Sequence, residues 1–262
     1  MNNHVLKSLY VMGILGIFLI TTPCQTHAAS IKNNIVLKMN FEDDLNDDSK
    51  QNNDGGILHG VHPPVYVEGI YETKCLSFNG EDDSFVMIPD ANSLDFGTGD
   101  FSISVWLKTA NGEGTFIQKM IGYAGYNLSV GSGKLELWLK DENGNKGEFY
   151  PANKVNADGS FYPPRINDNQ WHHVVITVDR DQPDGVIFYI DKMRIPYTMC
   201  DTHNTKITEV NGSLSNADPL YLGCHHYKNG WDYKGEMDSL IFINRVVTAD
   251  EVTGLYYLPS LE

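Results

Sequence analysis

The apolar residues of this chain recur with a period of two, and that spacing limits the possible fold more than any other feature. In Phe101-Ser-Ile-Ser-Val-Trp-Leu-Lys108 it sets Phe101, Ile103, Val105 and Leu107 on one face, the pattern of a half-buried strand. The segments His172-His-Val-Val-Ile-Thr-Val-Asp179 and Val186-Ile-Phe-Tyr-Ile190 are rich in β-branched and aromatic residues, which suit a pleated surface. Further short runs cover Ile35–Phe41, Phe85–Ile88, Phe116–Met120, Tyr126–Val130, Lys134–Leu139, Leu220–Gly223 and Met237–Ile243. Between the runs stand Asn79-Gly80, Asn143-Gly144, Asp184-Gly185 and Asn211-Gly212, dipeptides that supply positive φ to turns. Many short strands separated by such turns predict an all-β, two-sheet antiparallel sandwich or jelly roll rather than a parallel α/β sheet. A helical period is almost absent until the end of the chain. There Thr248-Ala-Asp-Glu251 reads as a capping box, and Val252 and Leu255 follow as an apolar pair, which predicts one short C-terminal helix.

Residues 1–28 read as a signal peptide. Lys7 precedes an apolar run from Leu9 to Ile20 that is too short to span a bilayer. Thr26 and Ala28 supply the small-x-small cleavage pattern, which places the cut after Ala28. Cys24 is not expected to carry lipid, because Pro23 stands where a small Gly or Ala is wanted. No later segment is apolar enough for membrane insertion, so residues 29–262 are expected to form a single secreted domain, extracellular or, in a Gram-negative source, periplasmic. Losing a leader that contains one lysine and no acid takes the formal charge from -15 to -16. Such a surface repels nucleic acid and anionic lipid. Cys75, Cys200 and Cys224 remain, an odd number that permits at most one internal bridge. Cys200 with Cys224 is the expected disulfide, since Cys75 sits in the strand-like segment Cys75-Leu-Ser-Phe78, where a free thiol behaves as a small hydrophobe.

The order of the segments carries further information. It runs through the acidic stretch Asp48-Ser-Lys-Gln-Asn-Asn-Asp-Gly-Gly56, then Leu76–Ile88 and Phe101–Trp106. Trp171-His-His-Val-Val175, Phe188-Tyr-Ile-Asp191, Leu220-Tyr-Leu-Gly223 and the closing Tyr233–Arg245 complete it. From Phe41 to Tyr256 this colinear pattern resembles the laminin-G-like jelly-roll family of the concanavalin A-like lectin/glucanase superfamily. The polar stretches 141–170 and 199–219 are longer than the shared pattern requires.

The resemblance implies two antiparallel sheets with adjacent terminal strands and a structural calcium ion near them. Position by position it assigns Asp48, Asn52, Asp54 and Asp238 as ligands, hard oxygen donors of the kind calcium prefers, with Gly55 and Gly56 allowing the backbone to wrap. It also implies an extracellular glycan or polysaccharide as partner, with a cell-surface or matrix protein as the alternative. Sugar binding needs flat apolar faces beside fixed hydrogen-bonding groups. His225, His226, Tyr227, Asn229, Trp231 and Tyr233 supply both within nine residues of sequence. A second candidate is Tyr150, Phe161 and Tyr162 with Asn153 and Arg165. Trp106, Trp138 and Trp171 lie in or beside apolar strands and read as packing residues, whereas Trp231 stands between Gly230 and Asp232 as a loop residue.

No catalytic residue is assigned. His172-His173 reads as a packing pair, and the adjacent His225 and His226 would point to opposite faces of a strand, which prevents them from chelating one ion. No Gly-x-Ser-x-Gly nucleophile elbow is present. Laminarinase-type hydrolases of this architecture carry Glu-x-Asp-x-x-Glu on one strand. Glu236-Met-Asp238 matches the first two acids, but Leu240 and Ile241 follow where the second glutamate belongs. A polysaccharide-degrading hydrolase or lyase stays open as the alternative to a non-catalytic carbohydrate-binding or adhesion module.

Overall fold

The computed structural model describes residues 31–258 apart from 55, 83, 121, 153, 156–160, 163–164, 200–205 and 226–229. The expected leader therefore lies outside the described residues. The chain runs through β1 (Ile35–Met39), β2 (Ile57–His59), β3 (Val65–Glu68), β4 (Lys74–Asn79), β5 (Phe85–Ile88) and β6 (Phe101–Lys108). It continues with β7 (Gly114–Lys119), β8 (Gly125–Gly131), β9 (Lys134–Lys140), β10 (Lys146–Pro151), β11 (Lys154–Val155) and β12 (Phe161–Tyr162). The remaining elements are β13 (Trp171–Val178), β14 (Val186–Ile190), β15 (Met193–Met199), β16 (Leu220–Leu222), β17 (Lys234–Ile243) and the helix α1 (Ala249–Tyr257). No helix among the described residues is long and apolar enough to cross a membrane.

The strands pair antiparallel in two layers. One layer has the order β3-β4-β17-β6-β13-β14, with β1 added on β17, and the other has the order β2-β5-β16-β7-β8-β9-β10. Strand β15 pairs with β14 at one edge and with β10 at the other, so a continuous 15-stranded ladder folds over its own core. This is the predicted antiparallel sandwich, and β11 with β12 forms a separate two-stranded piece.

Register brings the period-two residues together. Phe101, Ile103 and Val105 of β6 stand opposite Val178, Ile176 and Val174 of β13. From the other layer Tyr126, Leu128 and Val130 of β8 and Leu135, Leu137 and Leu139 of β9 complete the same buried cluster. Residues this deeply buried contribute roughly 1.5 to 3 kcal/mol each by leaving water, which is why alternation fixes the pairing so firmly.

The first layer is apolar on both faces. Its outward side carries Val175, Ile187, Tyr189, Ile241 and Ile243, and α1 seals it with Val252 and Leu255. The capping box forms as expected: Thr248 Oγ1 accepts from Glu251 N at 3.2 Å, and Glu251 Oε2 accepts from Thr248 N at 2.9 Å. Arg245 adds a bidentate pair to the same Glu251 carboxylate at 2.7 and 2.8 Å. Trp106 lies under this helix against His173 and Tyr256, a packing role as expected.

Cys75 and Cys224 are buried free thiols, and burial pushes both up to about 12. The expected Cys200–Cys224 disulfide is therefore not formed. Cys224 directly follows Gly223 at the end of β16 and is enclosed there; Cys200 lies outside the described residues.

Candidate functional site

α1 covers the outward face of the first layer, and the outward face of the second layer carries the candidate site. Adjacent strands align its residues in one row. Tyr221 of β16 faces Gln118 of β7, Gln118 faces Asn127 of β8, Asn127 faces Trp138 of β9, and Trp138 faces Glu148 of β10. These positions alternate with the core residues Leu137, Leu139, Leu128 and Phe149, so all five side chains point away from the core. Gln118, Asn127 and Glu148 are nevertheless buried. Three residues of the row, Gln118, Trp138 and Glu148, line a concavity.

That concavity has a volume of about 340 Å³ and is lined by Gln118, Tyr123, Trp138, Lys140, Glu148 and His225 among others. Trp138 contributes a partly buried indole between two polar neighbours. Its Nε1 makes no hydrogen bond of standard geometry among the described residues, while Glu136, two residues earlier on the same face, interacts with it electrostatically. Burial holds the Glu136 carboxyl above its ordinary range; Ser129 and Trp138 pull it down, and the charges of Glu113 and Glu148 push it up. Ser129 Oγ donates to Glu136 at 3.1 Å and the Tyr150 hydroxyl donates to Glu148 at 3.2 Å. The floor therefore combines an aromatic face with oriented acceptors and an amide, the composition of a small-molecule site.

The segment predicted to bind sugar forms one wall of this site, in part. Tyr233 N donates to Gly223 O at 2.9 Å, and His225 N donates to Asp232 Oδ1 at 2.8 Å, which closes the loop at its base. Only glycine fits at position 223, where φ is +89° and an added Cβ would lie 2.2 Å from the Phe78 ring. Thr115 N donates to Trp231 O at 2.7 Å and ties the loop to β7. His225 reaches the cavity, and Trp231 stands edge-on behind it at 6.4 Å between ring centroids. Tyr233 is corrected: it is a core residue, packed against Phe78 and Phe116, with its hydroxyl donating to Lys108 O and Glu236 O. His226, Tyr227 and Asn229 lie outside the described residues. Of the second candidate set, Tyr150 belongs to the same outward face as Glu148, and Arg165 is exposed.

Trp138 is the second correction. It faces outward and lines the cavity instead of packing in the core, and its parity gave the signal, because it alternates with Leu135, Leu137 and Leu139 and shares a face with Lys134, Glu136 and Lys140. Trp171 is half-buried under the Lys108 ammonium, 5.8 Å from the ring centroid. Tyr123, 77% exposed on the rim, was not singled out by any periodicity.

Three of the four residues assigned to calcium make hydrogen bonds within the protein. Asp48 Oδ2 accepts from Asn40 at 2.8 Å and Asp54 Oδ1 from Asp47 N at 2.8 Å. Asn52 is exposed, and Asp238 is buried on the first layer, where its Oδ2 accepts from Ile70 N at 3.1 Å and Thr73 Oγ1 at 3.3 Å. Among the described residues no three His, Cys, Asp or Glu side chains gather where they could hold a metal ion. The organiser of the acidic loop is Asp47, whose carboxylate accepts from Lys38 N, Ser49 N, Ser49 Oγ and Asn53 N at 2.8 to 2.9 Å. These four bonds tie β1 and the loop to one carboxylate.

The two acids of the hydrolase-like motif are also engaged away from the cavity. Glu236 pairs with Lys108 at 2.9 Å, and Asp238 is held as described. His173 is buried and neutral, its pKa lowered to about 3 by burial, with Nε2 2.9 Å from Ser104 Oγ. His172 bridges Asp191 at 2.8 Å and Asp168 at 3.0 Å, and its pKa is raised, chiefly by the bond to Asp191.

Residues 79–253 match the model of a family described as the concanavalin A-like lectin/glucanases superfamily. Two curated relatives are Paraclostridial mosquitocidal protein 1 of Paraclostridium bifermentans, 26% identical over 86% of this chain, and non-toxic nonhemagglutinin type A of Clostridium botulinum, 24% identical over 78%. The match spans only 18% and 14% of those proteins. Among solved structures, the binding domain of Paraclostridial mosquitocidal protein 1 superposes with a TM-score of 0.70 at 22% identity, covering 87% of this chain and 53% of that one. The botulinum neurotoxin serotype D ligand binding domain in complex with N-acetylneuraminic acid superposes with a TM-score of 0.62 at 16% identity, covering 88% and 52%. At these identities the structural likeness establishes the fold.

Proposed function

Since the chain belongs to the concanavalin A-like lectin/glucanase superfamily, we propose that it is a secreted, non-catalytic module that binds carbohydrate on the outward face of its second layer. One observation carries the reading: Trp138 lines a 340 Å³ concavity together with its register partner Glu148 and with Gln118. A pyranose presents C–H groups on one face and hydroxyls around its edge. An indole flanked by an amide and a carboxylate answers both, with stacking from the ring and directional acceptors beside it. Such a site orients its ligand through rigid strands, which favours recognition. Neither acid of the partial hydrolase motif reaches it, which supports binding without cleavage. The leader sequence supports export. A solved neighbour carries a sugar ligand, which agrees with this reading of the fold without locating a site on it.

A glycan array probed with the wild-type chain and with Trp138→Ala tests the proposal. Binding to a defined set of glycans, lost in the variant while its near-ultraviolet spectrum stays native, is the expected result. Equal array signals from both proteins overturn the site, and capture of a protein partner through the same face, with no glycan bound, favours the adhesion alternative.

A further inference from the structure

Beside the first cavity lies a second of about 550 Å³, and the two share the walls Tyr123 and Lys140. Lys140 Nζ donates to Gly122 O at 2.7 Å and so pins the turn on which Tyr123 is carried. Tyr123 is 77% exposed, and an aromatic ring held on a pinned turn between two hollows is placed to contact a ligand that occupies both. Either cavity alone reaches the lower end of the roughly 300 to 1,000 Å³ range that accepts a drug-sized ligand. A single sugar ring fills neither completely.

Acidic side chains concentrate at the second cavity, whereas two lysines and one glutamate line the first. Glu148 lines the first cavity with Glu136 near it, and Asp141, Glu142 and Asp218 line the second. Lys146 and Lys140 offset Glu148 at the first cavity, while Lys140 alone faces the three acids of the second. The whole chain carries -15. A carboxylate or sulfate placed at the second cavity would meet these acids at short range, and like charges in a recessed site discriminate strongly.

Building on the carbohydrate reading, we infer that the ligand is an oligosaccharide chain bound internally across both cavities with Tyr123 between them, and that a unit bearing carboxylate or sulfate is rejected at the second cavity. Recognition is thus of a polymer segment and not of a chain end.

The test is titration calorimetry of the full chain against ladders of one to six sugar units from β-glucan, mannan and chitin, together with N-acetylneuraminic acid-terminated and sulfated oligosaccharides. Affinity is expected to rise about tenfold or more once a ligand is long enough to pass Tyr123, and to level off beyond the second cavity. Ala217→Trp, which fills the second cavity, removes this increment and leaves the affinity for short sugars unchanged. Tyr123→Ala reduces the increment. Length-independent binding that still requires Trp138, a silent Ala217→Trp, or equal binding of acidic sugars long enough to pass Tyr123 overturns this inference alone. If nothing in the ladders binds, the carbohydrate reading falls and takes the inference with it.

Discussion

Trp138 and Glu148 stand directly opposite one another on β9 and β10, so the largest aromatic surface of the outward face is fixed beside a buried carboxylate. Cross-strand partners of this kind have Cβ atoms about 5 Å apart, close enough for one ligand ring to touch both. Their relationship depends on the pairing of strands and not on loops, which gives the site its rigidity. It also makes Trp138 a better anchor than Trp231, whose ring faces His225 from behind.

Lys119 provides a test of the scaffold around the cavities. Its ammonium is fully enclosed and donates to Asp90 Oδ1 at 2.8 Å, Asp95 Oδ1 at 2.9 Å and Asn216 O at 3.0 Å, which joins β7 to two loops. Removing the ammonium leaves the partly exposed Asp90 and Asp95 carboxylates and the Asn216 carbonyl without their shared buried donor. Lys119→Ala is expected to lower stability by about 3 kcal/mol or more, measured by urea unfolding; a loss under about 1 kcal/mol would contradict this role.

Asp238 gives the fold a pH dependence of known sign. Burial raises its pKa from 3.8 to about 6, opposed by hydrogen bonds from Ile70, Ser239 and Thr73. The native chain holds a proton that the unfolded chain releases, so this contribution is complete below about pH 4 and is lost as the pH rises through 6. Asp238→Asn keeps an acceptor for Ile70 and Thr73 and carries no charge. Relative to wild type the variant should gain stability as the pH rises from 4 to 7; a difference that does not vary with pH would refute the assignment.

The acidic loop is expected to hold without a metal ion. Because Asp47 receives its donors from β1 and from the loop itself, adding calcium or a chelator should leave the melting temperature unchanged, whereas Asp47→Ala should lower stability by roughly 2 kcal/mol or more through the donors it abandons. A clear calcium-dependent rise in melting temperature would restore the ion that the family resemblance implied.

The two described cysteines should be unreactive in the native state. Cys75 Sγ lies 3.6 Å from Glu68 O, Cys224 is enclosed, and both thiols are held near 12, far from the thiolate that alkylating reagents need. Both should be labelled only after unfolding. Mass mapping that recovers a Cys200–Cys224 bridge would show the free-thiol assignment wrong.

Much of the fold is legible in local sequence, because alternation in β6 and β13 and the Thr248–Glu251 capping box are properties of neighbouring residues. The site is less legible for a physical reason. Tyr221, Gln118, Asn127, Trp138 and Glu148 meet through strand register over a separation from 118 to 221, which no single segment encodes. Trp138 is the instructive case: the surrounding leucines suggest packing, while the parity it shares with Glu136 and Lys140 reveals the outward face. Tyr233 fails in the opposite direction, since a tyrosine that ends a polar loop turns inward to cap the carbonyls of Lys108 and Glu236. Asp47 had no distinguishing pattern among its acidic neighbours, and its importance appears only once the backbone donors surround it.

The central claim rests on Trp138, and the most direct measurement is calorimetric titration of the highest-affinity array glycan into wild type, Trp138→Ala and Trp231→Ala, with thermal melts of all three. Trp138→Ala should lose about tenfold or more in affinity with a stability loss well below the roughly 3 kcal/mol typical of a truncated core aromatic, while Trp231→Ala loses less affinity. Undiminished binding by Trp138→Ala, or a collapse of its stability of core magnitude, would contradict the account.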